Sequence, residues 1–456
     1  MRRRIAPTLV AALLATTSLA SQAETLTDAL VAAYQTNPTL KAQRAALRAT
    51  DEGVTKATSA FLPQVTASSR QVSARVDNSL RPPPFTTPQK LLEARVDQSL
   101  FRGFQDYNLR KQAKVLVDAG RAQLVSTEQT VLLDAVTAYV DVVRDQAVLE
   151  LTTNNVEVLT RQLRASQDRF RVGEITRTDV AQSEARLAGA VSTRIKAEGD
   201  LAASRARYTS VIGRSPENVV APKELPQLPA DLAAATELAI AHNPTIDTAK
   251  YNERAAAYGI NQAKGALLPT VNGFVTVSRS ESTFVQIGES FANVNKQKTI
   301  GAQINVPFWM GGGEYSDIRR AKQVRSQRMM EIIAADRRVR RDAETAWEQY
   351  RAANSAIKSN QSQVRANEIA LDGVRQEAAV GSRTTLDVLD AEQETLDARV
   401  NLVRAQRDQV VAAYALISSI GGLNAASLDL PVEKYDPNRN YRKVRFKPIG
   451  WDTVRE

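Results

Sequence analysis

Two stretches of the chain alternate between apolar and polar positions. Ile300, Ala302, Ile304, Val306 and Phe308 alternate with Gly301, Gln303, Asn305 and Pro307, and Leu92, Ala94, Val96, Gln98 and Leu100 with Glu93, Arg95, Asp97 and Ser99. Successive side chains of a strand point to opposite faces, so a period of two predicts strands with one apolar face and one polar face. About ten residues of alternation matches a membrane β-strand. Each such run pairs with an earlier one that opens near a Leu-Pro step, giving strand pairs over 62–78 with 90–102 and 268–284 with 297–309. The stretches between them, Leu80 to Gln89 with three consecutive prolines and Phe284 to Lys296, predict exposed turns. A small soluble sheet packed on helices satisfies the same alternation.

After each strand pair the pattern becomes helical. From Phe104 to Arg171 and from Gly312 to Ala379 there is no proline, few glycines and abundant Ala, Gln, Arg and Glu. Each stretch predicts a helix of about 68 residues, about 100 Å long at 1.5 Å per residue. Second helices, Asp179 to Ile212 and Thr385 to Ile420, follow turns at Val172-Gly173 and Val380-Gly381. Near the start, Thr25 or Thr27 reads as an N-cap for a stripe of Leu26, Leu30, Ala33 and Tyr34, and Asn37-Pro38 ends one helix and opens the next. The stripes of the long helices are narrow and rich in Ala and Val, as in coiled coils. Helices around a wet interior and a solid stalk both satisfy that pattern.

The chain is written twice. Asn37-Pro38-Thr39 recurs as Asn243-Pro244-Thr245 and Phe61-Leu62-Pro63 as Leu267-Leu268-Pro269, at an offset of 206. Farther along the offset is 208, relating Asp134-Ala135 to Asp342-Ala343, Val172-Gly173 to Val380-Gly381, Asp179-Val180 to Asp387-Val388 and Ile212-Gly213 to Ile420-Gly421. The period is domain-sized. It divides the chain into a first repeat over 24–213, with strands about 62–102 and a helical hairpin about 104–212, and a second over 231–421, with strands about 268–309 and a hairpin about 312–420. A Pro-rich linker, 214–230, joins them, and 422–456 follows as a C-terminal segment with a basic tail.

Composition narrows the function classes. Beyond the first 25 positions no apolar run approaches the ~18 residues of a spanning helix, so any membrane span is a β-barrel. Mean hydropathy is −0.31. Eleven of the 24 aromatic residues fall within 61–107 and 267–315, and aromatics gather at membrane interfaces. Cys is absent and His occurs once, as His242, which removes thiol nucleophiles, disulfides, zinc clusters and Ser/His/Asp triads. An enzyme is the weakest reading, and no cofactor or metal site is expected. His242 reads as a helix-end residue, Trp309 and Trp347 as packing residues, and Gly311-Gly312-Gly313 as a strand-to-helix joint.

Residues 1–23 read as a secretory signal, with basic Arg2, Arg3 and Arg4, an apolar Ile5 to Leu14 and a Ser21-Gln22-Ala23 cleavage site. Removing it lowers the formal charge of +10 by three. The remaining Lys and Arg alternate with Asp and Glu along helices, a solvated face rather than a nucleic-acid patch. A denser cluster, Arg439, Arg442, Lys443, Arg445 and Lys447, reads as a disordered tail.

Four strands cannot close a barrel, because open edges leave unpaired N–H and C=O groups in lipid. Three chains give 12 strands; a dimer or tetramer also gives an even number. The sequence resembles the outer-membrane efflux (TolC) family over nearly all of residues 24–456. The residues that carry the resemblance are Asn37-Pro38 and Asn243-Pro244, Leu62-Pro63 and Leu268-Pro269, Pro307-Phe308-Trp309-Met310-Gly311-Gly312, and the stretch from Val380 to Glu392. The resemblance implies a mainly α chain with a membrane β-barrel: a homotrimer with a 12-stranded barrel in outer-membrane lipid and a helical α-barrel in the periplasm. It also implies docking to a periplasmic adaptor protein and an inner-membrane transporter, for efflux of small molecules or type I secretion. The rival reading is a periplasmic coiled-coil adaptor or scaffold, which would normally show one hairpin and an anchor.

Asp387 and Asp390 lie three apart at a helix start, so both carboxylates share a face. Threefold symmetry would put six around one pore, a ring that admits cations and binds multivalent ones. Ordinary helix N-terminal charge explains the same pair. The resemblance further implies a latch between hairpins, at Arg383 on the second-repeat side and Thr178 and Asp179 on the first, beside the hairpin glycines Gly173 and Gly381. Some relatives have tyrosine three residues before the turn glycine; here that position is Ala378, which predicts a differently wired latch.

Overall fold

The computed structural model describes residues 24–77, 85–222, 224–286 and 289–453. The stretch read as a secretory signal, 1–23, lies outside them, as do residues 78–84 of the first strand-pair turn. Helices α1 (Leu26–Thr36) and α2 (Pro38–Ser59) lead into strands β1 (Gln64–Val76) and β2 (Phe85–Arg102) and then helices α3 (Gln105–Arg171) and α4 (Arg177–Ile212). The order then repeats, with α5 (Leu232–His242), α6 (Pro244–Lys264), β3 (Thr270–Gln286), β4 (Glu289–Asn305), α7 (Gly313–Ala379) and α8 (Thr385–Ser419), before a short α9 (Asn438–Val444). Among the described residues no helix is long and apolar enough to cross a membrane.

The Asn-Pro breaks have a common cause. Asn37 Oδ1 accepts from the backbone N–H groups of Thr39 and Leu40, and Asn243 Oδ1 from that of Thr245, each with proline at the first helical position, where no N–H is needed. The second end of each joint is the repeated Ile-Gly. Gly213 and Gly421 take positive φ, 89° and 82°, which only glycine adopts without strain. In one joint Thr36 Oγ1 donates to the Ile212 carbonyl at 2.7 Å; in the other Asn243 Nδ2 donates to the Ser419 carbonyl at 2.9 Å.

Two compact units draw on both repeats. The first comprises residues up to Thr36, Asp134–Pro226 and Ala353–Val411; the second comprises Asn37–Leu133, Gln227–Ala352 and Ala412–Glu456. In the first, Leu159, Ala190 and Leu389 bury one another, so α3, α4 and α8 share a core. Glu24 is buried there, its carboxylate accepting from the Tyr208 hydroxyl, from Arg214 Nη2 at 2.7 Å and from the Glu217 N–H at 3.1 Å. Burial pushes the Tyr139 hydroxyl, which donates to the Glu24 carbonyl at 2.6 Å, up to about 12.

The second unit holds the sheet, antiparallel in the order β1-β2-β3-β4. Its registers sort the side chains into two faces. One carries rows such as Val65, Val96, Val275 and Ile300; the other carries Thr66, Arg95, Thr276 and Thr299. On the polar face Arg95 Nε donates to Asp97 at 2.7 Å and its guanidinium stacks on Phe274, which lies over Gly301, its cross-strand partner. A bulge between Ser99 and Phe101 shifts the β2–β3 register ahead of its last two pairs, Phe101 with Val271 and Arg102 with Thr270.

The strands reach farther than alternation predicts. β2 starts at Phe85 and contains Pro88, opposite Ser73, although Leu80 to Gln89 reads as a turn. Proline is tolerated there because the ladder to β3 begins only at Gln89, leaving that edge of Pro88 without a partner to satisfy. Similarly β3 and β4 continue to Gln286 and from Glu289, replacing most of the turn read over Phe284 to Lys296. The basic cluster read as disordered is also corrected, since Arg439, Arg442 and Lys443 lie in α9, which packs on α2. Asn440 Nδ2 donates to buried Asp51 at 2.8 Å and Arg121 stacks on Tyr441.

Candidate functional site at the hairpin turns

Both long hairpins turn by the same device. After α3, Gly173 takes φ 82°, its N–H bonding the Phe170 carbonyl while the Glu174 N–H reaches the Arg169 carbonyl, each at 3.0 Å. After α7, Gly381 takes φ 78°, with the Ala378 and Glu377 carbonyls bonded at 3.2 and 3.0 Å. These bonds occupy carbonyls that the helix end leaves unpaired. A threonine then caps the next helix. The Thr176 N–H and hydroxyl both donate to Asp179 Oδ2, at 2.9 and 2.7 Å, and those of Thr384 to Asp387 Oδ2, at 2.9 and 2.8 Å. The Thr-x-x-Asp spacing puts the carboxylate over the first-turn N–H groups, where a helix favours negative charge.

The two aspartates of the expected acidic ring therefore differ. Bonds from Thr384, its backbone N–H foremost, hold the Asp387 carboxyl below the usual range, aided by the nearby Arg383 charge. Asp390 is exposed and accepts from Arg186 Nη2 of α4, so its charge is shared across the repeats. The buried neighbour Leu389 packs against Leu159 and Ala190, which fixes the face of α8 from which Asp390 projects.

The expected latch residues lie at the two turns, Thr178 and Asp179 after the first and Arg383 at the second, and no hydrogen bond or ion pair joins them within one chain. Arg383 Nε donates to Glu377 Oε2 at 2.8 Å, within its own hairpin, and this partner raises the guanidinium's proton affinity further. Asp179 is held by Thr176, and Thr178 is exposed. Sequence reasoning missed Arg186 and Glu377, whose roles depend on which helices face each other. It also missed the double capping role of Asp179 and Asp387, which the Thr-x-x-Asp pattern spells out.

A second charged site in the same unit was also missed. Asp141, Arg144, Asp145, Arg207, Arg404 and Arg407 line a cavity of about 580 Å³. With Asp200 and Asp408 its four carboxylates match its four guanidiniums in number, and Arg144, Arg207 and Arg407 pair with Asp141, Asp145 and Asp408, which makes it a structural network rather than a binding pocket. Among the described residues no cluster could hold a metal ion.

The family model described as outer membrane efflux protein matches residues 29–214 and 235–422, one match per repeat. The outer membrane efflux protein BepC of Brucella suis is 36% identical over 449 residues, covering 97% of this chain and 96% of the relative. The outer membrane protein TolC of Vibrio cholerae is 27% identical over 433 residues, covering 92% and 96%. Among solved structures, the CmeC outer membrane channel of Campylobacter jejuni superposes with a TM-score of 0.77 at 14% identity, covering 92% of this chain and 89% of its own, a likeness of fold.

Proposed function

Because the chain belongs to the outer membrane efflux protein family, we propose that three copies close their sheets into a 12-stranded outer-membrane barrel and line an exit duct with their long helices in the periplasm. The protein is an outer-membrane channel component and not an enzyme.

The observation that carries the closed ring is the sheet, which ends in β1 and β4 and has one apolar and one polar face. In lipid those two edges must pair, and β1 of one copy against β4 of the next satisfies both. Val65, Val96, Val275 and Ile300 then meet lipid, and Thr66, Arg95, Thr276 and Thr299 line a wet interior.

At the hairpin turns, Asp387 and Asp390 from three copies form a cation-attracting ring, and Arg383, Thr178 and Asp179 latch neighbouring hairpins. The capped turns and the exposure of Asp390 support that placement. A periplasmic adaptor and an inner-membrane transporter engage this end and drive small molecules or secreted proteins outward.

Single-channel conductance in a planar bilayer tests the reading, with and without a trivalent cation on the side of the helices. Cation-selective openings blocked by that ion, with block weakened in Asp387→Asn/Asp390→Asn, are expected. A folded protein that never conducts would remove the duct.

A further inference from the structure

The apolar face of the sheet ends in a patch of cations. Beyond the row Val65, Val96, Val275 and Ile300 comes Ala67, Ala94, Val277 and Lys298, then Ser69, Leu92, Arg279 and Lys296, then Gln71, Lys90, Glu281 and Val294. Arg279 and Lys296 are direct cross-strand partners on this face, and Lys298 and Lys90 lie one row away. Like charges placed opposite one another repel, so the arrangement is unfavourable without an anion. Glu281 Oε1, 2.5 Å from Arg279 Nη2, supplies one carboxylate for four cations. Lys90, Arg279, Lys296 and Lys298 are all exposed.

Their height is set by the strand. Arg279 is nine residues beyond Thr270, ~31 Å of strand or ~23 Å of height at the ~40° tilt of outer-membrane barrels, whose apolar band is ~25 Å tall. The cations therefore sit where hydrocarbon gives way to headgroups, at the end of the barrel away from the helices. Charge on a lipid-facing strand is least tolerated at the midplane and nearly neutral at that boundary. Lys and Arg there extend along apolar surface and place their charged ends among headgroups.

We propose that Arg279, Lys296, Lys298 and Lys90 bind the phosphate groups of an outer-leaflet lipid whose acyl chains lie along Leu92, Ala94, Val277 and Val275. The inference rests on the reading that this face of the sheet meets lipid. An arginine offers phosphate a planar pair of donors, and the flanking lysines add point charges that suit a headgroup with more than one phosphate. The lipid adds anions to the single Glu281 carboxylate that Arg279 already holds.

Native mass spectrometry of the detergent-purified full-length protein tests this with diphosphorylated lipid A, its dephosphorylated form and inorganic pyrophosphate as probes. The diphosphorylated lipid should bind the wild type about tenfold more tightly than it binds Lys296→Gln/Lys298→Gln, and about tenfold more tightly than the dephosphorylated lipid binds the wild type. Undiminished binding by the variant, or equal binding of the dephosphorylated lipid, would overturn the proposal. So would pyrophosphate occupying the site as tightly as the lipid, which would mark a site for free phosphate. Lys298→Gln alone provides a milder second variant should the double one fail to fold. Conductance of the same samples separates the two readings: a conducting wild type whose lipid binding is indifferent to phosphate defeats the lipid site alone, and a wild type without conductance defeats the channel.

Discussion

Arg407 Nε donates to Asp141 Oδ1 at 2.8 Å, joining α8 of the second repeat to α3 of the first. Arg144 Nη1 donates to the same oxygen at 2.9 Å, and Arg207 Nη1 lies 3.6 Å from Oδ2, so three guanidiniums converge on one buried carboxylate. Removing the carboxylate leaves those cations without their common partner. Asp141→Ala should lower unfolding stability by about 3 kcal/mol, whereas Arg407→Lys, which keeps the charge and loses the fork, should cost about 1 kcal/mol. Denaturant unfolding measures both, and an Asp141→Ala protein as stable as wild type would show the network to be idle.

The repeated glycines should rank by what a methyl group would meet. At Gly421 an added Cβ falls 2.4 Å from the His242 carbonyl oxygen, which is backbone; at Gly213 it falls 2.7 Å from Thr36 Oγ1, the end of a side chain; at Gly173 and Gly381 nothing lies within 4 Å. All four have positive φ. Substitution by alanine should therefore cost about 1 kcal/mol at Gly173 and Gly381 from backbone strain alone, and more at Gly213. Gly421 should be worst, at about 3 kcal/mol, and thermal unfolding of the four variants tests the order.

Acid should strengthen the attachment of α9 before it weakens the rest. Burial pushes the Asp51 carboxyl above its ordinary value of 3.8, against the opposing bond from Asn440, and it pushes Glu128 up likewise. A raised carboxyl binds its proton more readily folded than unfolded, so its contribution is fully present below the unfolded value and is lost as pH rises through the folded one. Asp51→Asn should flatten this dependence and raise stability at pH 7. Hydrogen exchange in α9 across pH 4 to 7 provides the readout, and a variant with unchanged pH dependence would contradict the assignment.

The Asp387 carboxylates of the proposed acidic ring should keep their charge in acid. Asp387 is held below 3.8 by its bonds from Thr384, so block by a trivalent cation should persist at a pH where an ordinary aspartate is half neutral. Thr384→Val removes the hydroxyl bond and should move the loss of block to higher pH. Block that titrates identically in wild type and Thr384→Val would rule out this role for the cap.

The latch is tested at Arg383, which binds Glu377 in its own hairpin. If it also holds a neighbouring copy, Arg383→Ser should raise resting conductance and antibiotic leakage, and Glu377→Gln, which frees the guanidinium, should not. Equal leakage in wild type and Arg383→Ser would end the latch assignment.

Legibility in the sequence followed the range of the interactions. The long helices could be read almost to the residue because their ends depend on local features: α3 and α7 stop at Arg171 and Ala379, two residues before Gly173 and Gly381. The strands could be read only where their two faces differ. Over Phe291 to Lys296 each face mixes polar and apolar residues, Phe291 with Asn293 and Asn295 on one and Ala292 and Val294 with Lys296 on the other, so the pattern falls silent although the backbone ladder continues. Helix α9 was invisible for another reason: its placement depends on Asn440 meeting Asp51 and Tyr441 meeting Arg121, partners hundreds of residues away. The same division holds at the hairpin turns. Asp387 and Asp390 could be named from spacing, but the pairing of Asp390 with Arg186 needed the packing of α4 against α8.

In the proposed ring, pairing β1 of one copy with β4 of the next would make every contact directional, each copy giving one kind of edge and receiving the other. A copy able to give but not receive still occupies a place and leaves the circle open for its healthy neighbours. In a cell making equal amounts of normal chains and chains with a disabled β1 edge, only about one ring of three in eight would be wholly normal, so the defect should behave genetically as dominant.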